Sequence, residues 1–259
     1  MRKRIDSLAL IGFVMNLGTT QFDFCHYPAV PPPVSVRLIT TPPHACPYFA
    51  ERLATNRVFY SSQMTGEIYH RFMDSTFRRS GNIFYQPVCQ DCRKCMPIRI
   101  PLARFVPSKS QRRCWRRNQD LTIHCDAPRA TDEKFALYSR YLKRHGKDEP
   151  EEATSFVDFL YQSPIDTVEF TYRDGTGRLL AVGICDVCPT ALSSVYFYFD
   201  PADSRRGLGT FGVLKEIEYA TQADMAHYYL GYWVEGSRTM DYKANFQPYE
   251  LLHPDGQWR

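Results

Sequence analysis

The 259-residue chain contains no apolar run of the 18 or so residues that a membrane-spanning helix needs. It has no internal repeat and no low-complexity tract beyond its prolines. It also lacks an excess of either charge: 32 Lys and Arg against 28 Asp and Glu leave a formal +4. These absences exclude a multi-span membrane protein, a collagen and a wholly disordered chain. So small a net charge does not call for nucleic acid; only its distribution can. There is no G-x-x-x-x-G-K-[ST], so the common P-loop fingerprint is absent; the spacing G-x-G-x-x-G occurs once, at Gly207, Gly209 and Gly212. Nine cysteines are an odd number, and their spacing is not that of a small disulfide scaffold. A reducing compartment, the cytoplasm, is the expected location.

What is present is an ordinary core composition, 44% apolar and 23% charged. The first residues, with Arg2, Lys3 and Arg4 before Leu8 to Met15, mimic a short signal peptide but lack a small-x-small cleavage site. With Pro28, Pro31, Pro32 and Pro33 behind them, residues 1–35 read as an extended or disordered leader. Residues 36–120, rich in turns, aromatics and cysteines, are expected to form a smaller amino-terminal domain. It would hold strands at Asn82 to Cys89 and Pro97 to Leu102, then a helix over Pro107 to Arg117 capped by Ser108 or Ser110.

Residues 121–259 alternate more regularly. Strands are expected at Leu121 to Cys125, Thr167 to Tyr172, Leu179 to Cys185, Ser193 to Phe199 and Tyr228 to Val234. Helices are expected at Thr131 to His145 and Glu151 to Tyr161. A third follows Asp200, where Leu208, Phe211, Leu214 and Ile217 recur every three residues. Antiparallel strands, then one helix and another strand, make an α+β mixed-sheet domain.

Three clusters carry chemistry. The first is a basic block: Arg93, Lys94, Arg99, Arg104, Lys109, Arg112, Arg113, Arg116 and Arg117, uninterrupted by any acid. In a helix, Lys109/Arg113, Arg112/Arg116 and Arg113/Arg117 are like-charge pairs, each unfavourable by roughly 0.2–0.5 kcal/mol. An anion reverses that sign, and arginine forks suit phosphate or carboxylate. Trp115 within the block is either a stacking platform or a buried anchor. The second cluster is Cys89, Cys92 and Cys95 in C-x2-C-x2-C, with Cys46 as a fourth ligand if the chain folds back. Four thiolates suit zinc or an iron–sulfur cluster; the alternative is small buried cysteines. Cys185 and Cys188 read as core or turn residues.

The third cluster is carboxy-terminal. DPADSRRGLGTFG, Asp200 to Gly212, joins a strand to a helix, and Gly207 and Gly209 expose unpaired N–H groups there. It resembles the R/Q-x-x-G-x-G/A pyrophosphate loop of the Gcn5-like N-acetyltransferases, with Ser204 in the first position. Beyond it, Tyr228 to Leu252 mixes aromatics with Glu235, Arg238, Asp241 and Lys243, ionisable groups that are costly to bury unless paired.

Taken together, HACPYFAERLATNRVF, GNIFYQPVCQDCRKCMPIRIPLARFVPSKSQRRCWRRNQDL, YFYFDPADSRRGLGTFGVLKEI and YLGYWVEGSRTMDYKANFQPYELL resemble the bacterial aspartate/glutamate leucyltransferases, within the arginyl-tRNA–protein transferase family. The resemblance runs from about Val36 to Leu252. It implies an acetyltransferase-like (Gcn5-related) domain behind a smaller cysteine-containing one. It also implies transfer of leucine from leucyl-tRNA to the α-amine of proteins beginning with Asp or Glu, in the N-end rule degradation pathway. Arginyl transfer by the same mechanism, a CoA-dependent N-acyltransferase and a metal-stabilised RNA-binding protein are the alternatives. The eukaryotic relatives carry two cysteine pairs associated with zinc or an iron–sulfur cluster, whereas this chain has Phe49 where the partner of Cys46 would stand.

The ester is already activated, so no cofactor is required. By position and chemistry, Lys109, Arg112, Arg113, Arg116, Arg117, Arg205, Arg206, Gly207 and Gly209 are expected to bind the tRNA end. Arg112, Arg113 or Arg238 would read the acceptor's acid. Glu235 or Asp241 would hold the α-ammonium or take its proton, and Tyr242 and Lys243 would stabilise the oxyanion or the leaving hydroxyl.

Overall fold

The computed structural model describes residues 22–23, 36–144 and 153–259. The leader expected at 1–35 therefore lies outside the described residues, apart from Phe22–Asp23, as do His145, Glu151 and Glu152.

Two main sheets are built in chain order. The first half gives β1 (Phe22–Asp23), β2 (Leu38–Thr40), β3 (His44–Ala45), β4 (Leu53–Ala54) and β5 (Asn56–Tyr60). Helix α1 (Gly66–Asp74) follows, then β6 (Arg78–Ser80), β7 (Ile83–Pro87), β8 (Cys95–Pro101) and helix α2 (Lys109–Arg117). The second half gives β9 (Thr122–Asp126), α3 (Asp132–Arg144) and α4 (Ala153–Phe156), which runs on as a π-helical turn to Tyr161. Then come β10 (Thr167–Arg173), β11 (Leu179–Cys188), β12 (Ala191–Phe199), α5 (Leu208–Gln222), β13 (His227–Val234) and β14 (Glu250–Leu251).

The smaller sheet has the order β1-β2-β5-β7-β6, and the larger one β14-β8-β13-β12-β11-β10-β9. Strand β8 and helix α2, grouped with the amino-terminal part by the sequence, thus sit on the larger sheet. The hydrophobic pattern of β8 explains this: Ile98 and Ile100 point into the core that α5 covers, and both are fully buried. The expected strands and helices of the second half are all present, most with ends within three residues of those expected.

Helix α1 was not expected from sequence. Thr65 accepts a hydrogen bond from the Ile68 N–H and starts it. Its Tyr69, Phe72 and Met73 pack with Phe59, Phe77 and Phe84 into a core of their own. That core reaches Cys188, Ala191 and Tyr229 of the larger sheet, so both halves share it. A buried ion pair clamps the same junction: Arg79 Nε donates to Asp186 Oδ2 at 2.6 Å, with both side chains fully buried.

In the larger sheet, β10, β11 and β12 are successive antiparallel strands, α5 crosses over, and β13 returns parallel to β12. This is the acetyltransferase-like α+β arrangement expected. The parallel pair is short: Ala191, Leu192 and Ser193 face His227, Tyr228 and Tyr229, and there it stops. Each strand carries an irregularity just beyond. The β11/β12 register slips between Ile184 and Cys185, and β13 gains one residue against β8 between Tyr229 and Tyr232. A bulge increases local twist and bends its strand, so the two strands part. Gly231 sits in the β13 bulge at φ +83°, a conformation that disfavours any residue with a Cβ.

Candidate active site

The split between β12 and β13 is where the functional side chains gather. Helix α5 runs along one side and begins at Gly207 (φ +71°, ψ +41°), with no side-chain cap and no acid in its first turn. Its first N–H groups and positive dipole end are therefore left for an anion. Gly212, one turn in, has a packing reason: a Cβ there would stand 2.1 Å from the Phe197 ring. At Gly209 the nearest atom would be 3.9 Å away, so packing does not demand glycine there.

Helix α2 lies against the start of α5. Ser108 and Gln111 close a capping box at its head: the Gln111 N–H donates to Ser108 Oγ at 3.3 Å, and the Ser108 N–H to Gln111 Oε1 at 2.7 Å. Its neutral face does the anchoring. The Cys114 thiol donates to the Gly207 carbonyl at 3.3 Å, Asn118 Nδ2 donates to the Arg206 carbonyl at 3.0 Å, and Trp115 packs edge-on to Phe211. Trp115 is thus an anchor, with Lys215 over its ring. Lys109, Arg112, Arg113, Arg116 and Arg117 are all exposed on the other face. Among the described residues no carboxylate forms an ion pair with any of them. The turn before α5 adds Arg205, exposed, whose carbonyl accepts from Arg117. Arg206 differs: it is held bidentately by Asp120 at 2.8 and 2.9 Å.

The carboxy-terminal constellation divides. Glu235 is exposed on a turn, 3.5 Å from Lys94, and Arg238 and Asp241 are exposed too. Residues Asp241–Asn245 form one 3-10 turn over β13, tied to α2 by Gln111 Nε2 donating to the Asn245 carbonyl at 3.1 Å. In that turn Tyr242 remains 45% exposed, yet its hydroxyl pKa is raised, chiefly by burial and then by Tyr141 and Glu216. Tyr242 thus stands at the surface within electrostatic reach of Tyr141 and Glu216. Tyr141 of α3, itself packed on Tyr196 and Phe199 of β12, lines the opposite side. Lys243 points the other way. It is buried, its Nζ donates to the Tyr232 carbonyl at 2.7 Å, and burial, then Arg78, pushes its pKa down to about 7.

The four candidate metal ligands come near one another without forming a coordination shell. Burial, then Cys89, Cys46 and Cys92, push the Cys95 thiol up to about 12. Among the described residues, however, no three Cys, His, Asp or Glu are spaced to hold a metal. As arranged here the four do not fit a zinc or iron–sulfur centre, and no step below depends on one. Cys185 and Cys188 are buried, as expected of core residues.

Two ionisable groups at the split escaped the sequence reading. Glu216 of α5 is 1% exposed, accepts from the Tyr228 hydroxyl, and has Oε1 without a partner. Burial pushes its pKa up to about 7 against the hydrogen bonds from Tyr228, Cys185 and Ser194. An acid on the stripe of Gly212, Val213 and Ala220 was the available signal. Arg78 of β6 left no such mark, since its partner carbonyl at Gly231 lies 153 residues on. Two hollows of about 440 and 490 Å³ open elsewhere, at the start of α1, lined by Gln63, Met64, Thr65 and Pro164. No residue of the split lines them.

Known proteins resemble this chain along most of its sequence. The family described as "Arginine-tRNA-protein transferase, N terminus" matches residues 44–113, and its "C terminus" counterpart matches 133–253. An "Aspartate/glutamate leucyltransferase" of Pseudomonas putida (strain W619) is 39% identical over 84% of this chain and 94% of its own. One from Stenotrophomonas maltophilia (strain K279a) is 43% identical over 83% and 89%. Among solved structures, the C-terminal domain of a putative lysylphosphatidylglycerol synthetase from Agrobacterium fabrum aligns at a TM-score of 0.47 and 15% identity, over 75% of this chain and 65% of that one. On the sequence matches, the chain belongs to the arginine-tRNA–protein transferase family and is an aminoacyltransferase.

Proposed function

We propose that the enzyme moves leucine from leucyl-tRNA to the α-amine of a protein beginning with Asp or Glu, in the cytoplasm, marking that protein for N-end-rule degradation. The observation that carries this reading is the split between β12 and β13, opening beside five exposed cations of α2 that no acid compensates. A polyanion whose 3′ end must reach a slot in a sheet fits that pairing of features. The tRNA backbone runs along Lys109, Arg112, Arg113, Arg116 and Arg117 to Arg205 and the open start of α5. Arg206, already held by Asp120, shapes the turn. Leucine as the transferred residue follows the leucyltransferases to which the chain is 39–43% identical.

The reaction is an aminolysis. The acceptor nitrogen bonds to the ester carbonyl carbon, the bond to the ribose oxygen breaks, and the ammonium proton ends on that oxygen. An α-amine with a pKa near 7.7–8.0 needs little help to lose its proton, so orientation and oxyanion stabilisation are the larger tasks. Tyr242, within electrostatic reach of Tyr141 and Glu216, is the donor to the oxyanion or leaving oxygen. Asp241 on the rim, or Glu235 on the neighbouring turn, is the group for the incoming ammonium.

The test is direct. Purified enzyme is mixed with tRNA carrying labelled leucine or arginine, and with peptides beginning Asp, Glu or Ala. Label from leucyl-tRNA on the Asp and Glu peptides alone is expected. Label from arginyl-tRNA instead changes the donor. Transfer of neither, beside acetyl transfer from acetyl-CoA, overturns the proposal.

A further inference from the structure

Strand β6 sends two consecutive arginines in opposite directions. Arg79 finds Asp186. Arg78 finds no acid at all: it is 4% exposed, its terminal nitrogens donate to the carbonyls of Phe77 (2.9 Å) and Gly231 (3.2 Å), and its Nε–H has no partner. The guanidinium lies over the rings of Tyr229 and Tyr232, with centroids at 5.4 and 5.6 Å.

Lys243 approaches the same bulge. Its ammonium is bonded to the Tyr232 carbonyl, and a Cβ built on Gly231 would stand 3.6 Å from Nζ. Two buried basic groups therefore hold consecutive carbonyls of one strand, and among the described residues neither has a carboxylate within ion-pair distance. Burying one unpaired charge costs several kcal/mol, and two side by side cost more. A ligand carboxylate placed between them supplies the missing anion.

We infer that Arg78 and Lys243, gathered at the Gly231 bulge, receive the side-chain carboxylate of the acceptor's first residue. This rests on the transfer reading above and replaces the exposed Arg112, Arg113 and Arg238 as readers of that acid. Adjacency supports it: Tyr242 and Lys243 are successive residues of one turn, with the tyrosine at the donor split and the lysine at the cation pair. The α-amine and the carboxylate of a single Asp or Glu are likewise a few bonds apart. The site is also composite, since Arg78 comes from the smaller sheet and Lys243 from the larger one. It recognises charge: a buried guanidinium and ammonium stabilise a carboxylate, while a neutral amide would leave both cations uncompensated.

The experiment compares peptides beginning Glu and Gln, which differ in charge and hardly in shape. Two readouts are needed: kcat/KM for leucyl transfer, and equilibrium binding of each peptide to the full-length enzyme without tRNA. Wild type is expected to favour Glu by at least about 100-fold in both. Lys243→Met and Arg78→Gln are each expected to cut the Glu-peptide value 10-fold or more through KM. The Glu/Gln ratio should shrink, and KM for leucyl-tRNA should stay within twofold. Lys243→Arg should restore part of the ratio, which a merely structural role would not do. If Arg78→Gln fails to fold, the lysine variants decide alone. A Glu/Gln ratio within twofold of wild type in a folded Lys243→Met enzyme overturns the inference. Selective binding of the Glu peptide without any leucyl transfer would keep the acid pocket and remove the transfer reading.

Discussion

Replacing Glu216 with Gln tests the electrostatics of the split in a way that ordinary packing cannot imitate. The carboxyl is 1% exposed, and its pKa stands at about 7 against an ordinary 4.5. The folded chain therefore keeps a proton that the unfolded chain releases between those values, so stability falls as pH rises from 4.5 to 7. The full cost persists above 7 and vanishes below 4.5. A shift of that size corresponds to about 3 kcal/mol at pH 8 and about 1 kcal/mol at pH 5. Glutamine has the same shape, keeps an oxygen for the Tyr228 hydroxyl and cannot ionise. Whatever Glu216→Gln costs in lost hydrogen bonding is common to both pH values. Urea unfolding should therefore show the variant gaining about 2–3 kcal/mol relative to wild type between pH 5 and pH 8. An equal difference at the two pH values would mean that the carboxylate is solvated or paired, and the picture of a dry, acid-floored split would be wrong.

The start of α5 offers a paired test. Gly212→Ala forces a Cβ to within 2.1 Å of Phe197 and should cost about 1–3 kcal/mol, whereas Gly209→Ala should unfold at nearly the wild-type urea concentration. Asp186→Asn leaves Arg79 buried and unpaired, so unfolding should come about 3–5 kcal/mol easier, with an unchanged m-value. Substituting Arg113 and Arg116 with Gln relieves repulsion on α2 and should not lower the melting temperature. It should raise KM for leucyl-tRNA several-fold and flatten the salt dependence of binding, by about 0.7–0.9 in log–log slope for each phosphate that the variant no longer neutralises.

The second half of the fold was legible because its period changes where its structure does. The every-third-residue pattern of Leu208, Phe211, Leu214 and Ile217 marks α5, and the alternating runs before and after it mark β12 and β13. Helix α1 was not legible. Its GEIYHRFMD is short, and its buried rings meet partners from β5 and β7 and from β13, which local pattern does not reveal. Strand β8 was seen, but its pairing with β13, more than 120 residues away, was not. At the site, the basic face of α2 was visible as an uninterrupted block of charge. Lys243 was visible as an ionisable group among aromatics. Its partner Arg78 was not, because an arginine in FRRS looks the same whether it meets water, an aspartate or a bare carbonyl.

Strand β13 links these pieces, and Gly231 is the residue on which the linkage turns. The extra residue bends β13 away from β12, which opens the donor split. The same distortion presents the carbonyls of Gly231 and Tyr232 to Arg78 and Lys243. Alanine at this position meets no atom closer than 3.6 Å, so any cost is conformational. Holding an L-residue at φ +83° costs about 1–2 kcal/mol, and relaxing it means straightening the bulge. Gly231→Ala should therefore lose up to about 2 kcal/mol in urea unfolding and, more tellingly, lose leucyl transfer and Glu-over-Gln selectivity together. Both depend on one backbone distortion, though they use different side chains. A folded Gly231→Ala enzyme that kept its selectivity while losing transfer would show that the split and the cation pair are set independently, and that β13 does not couple them.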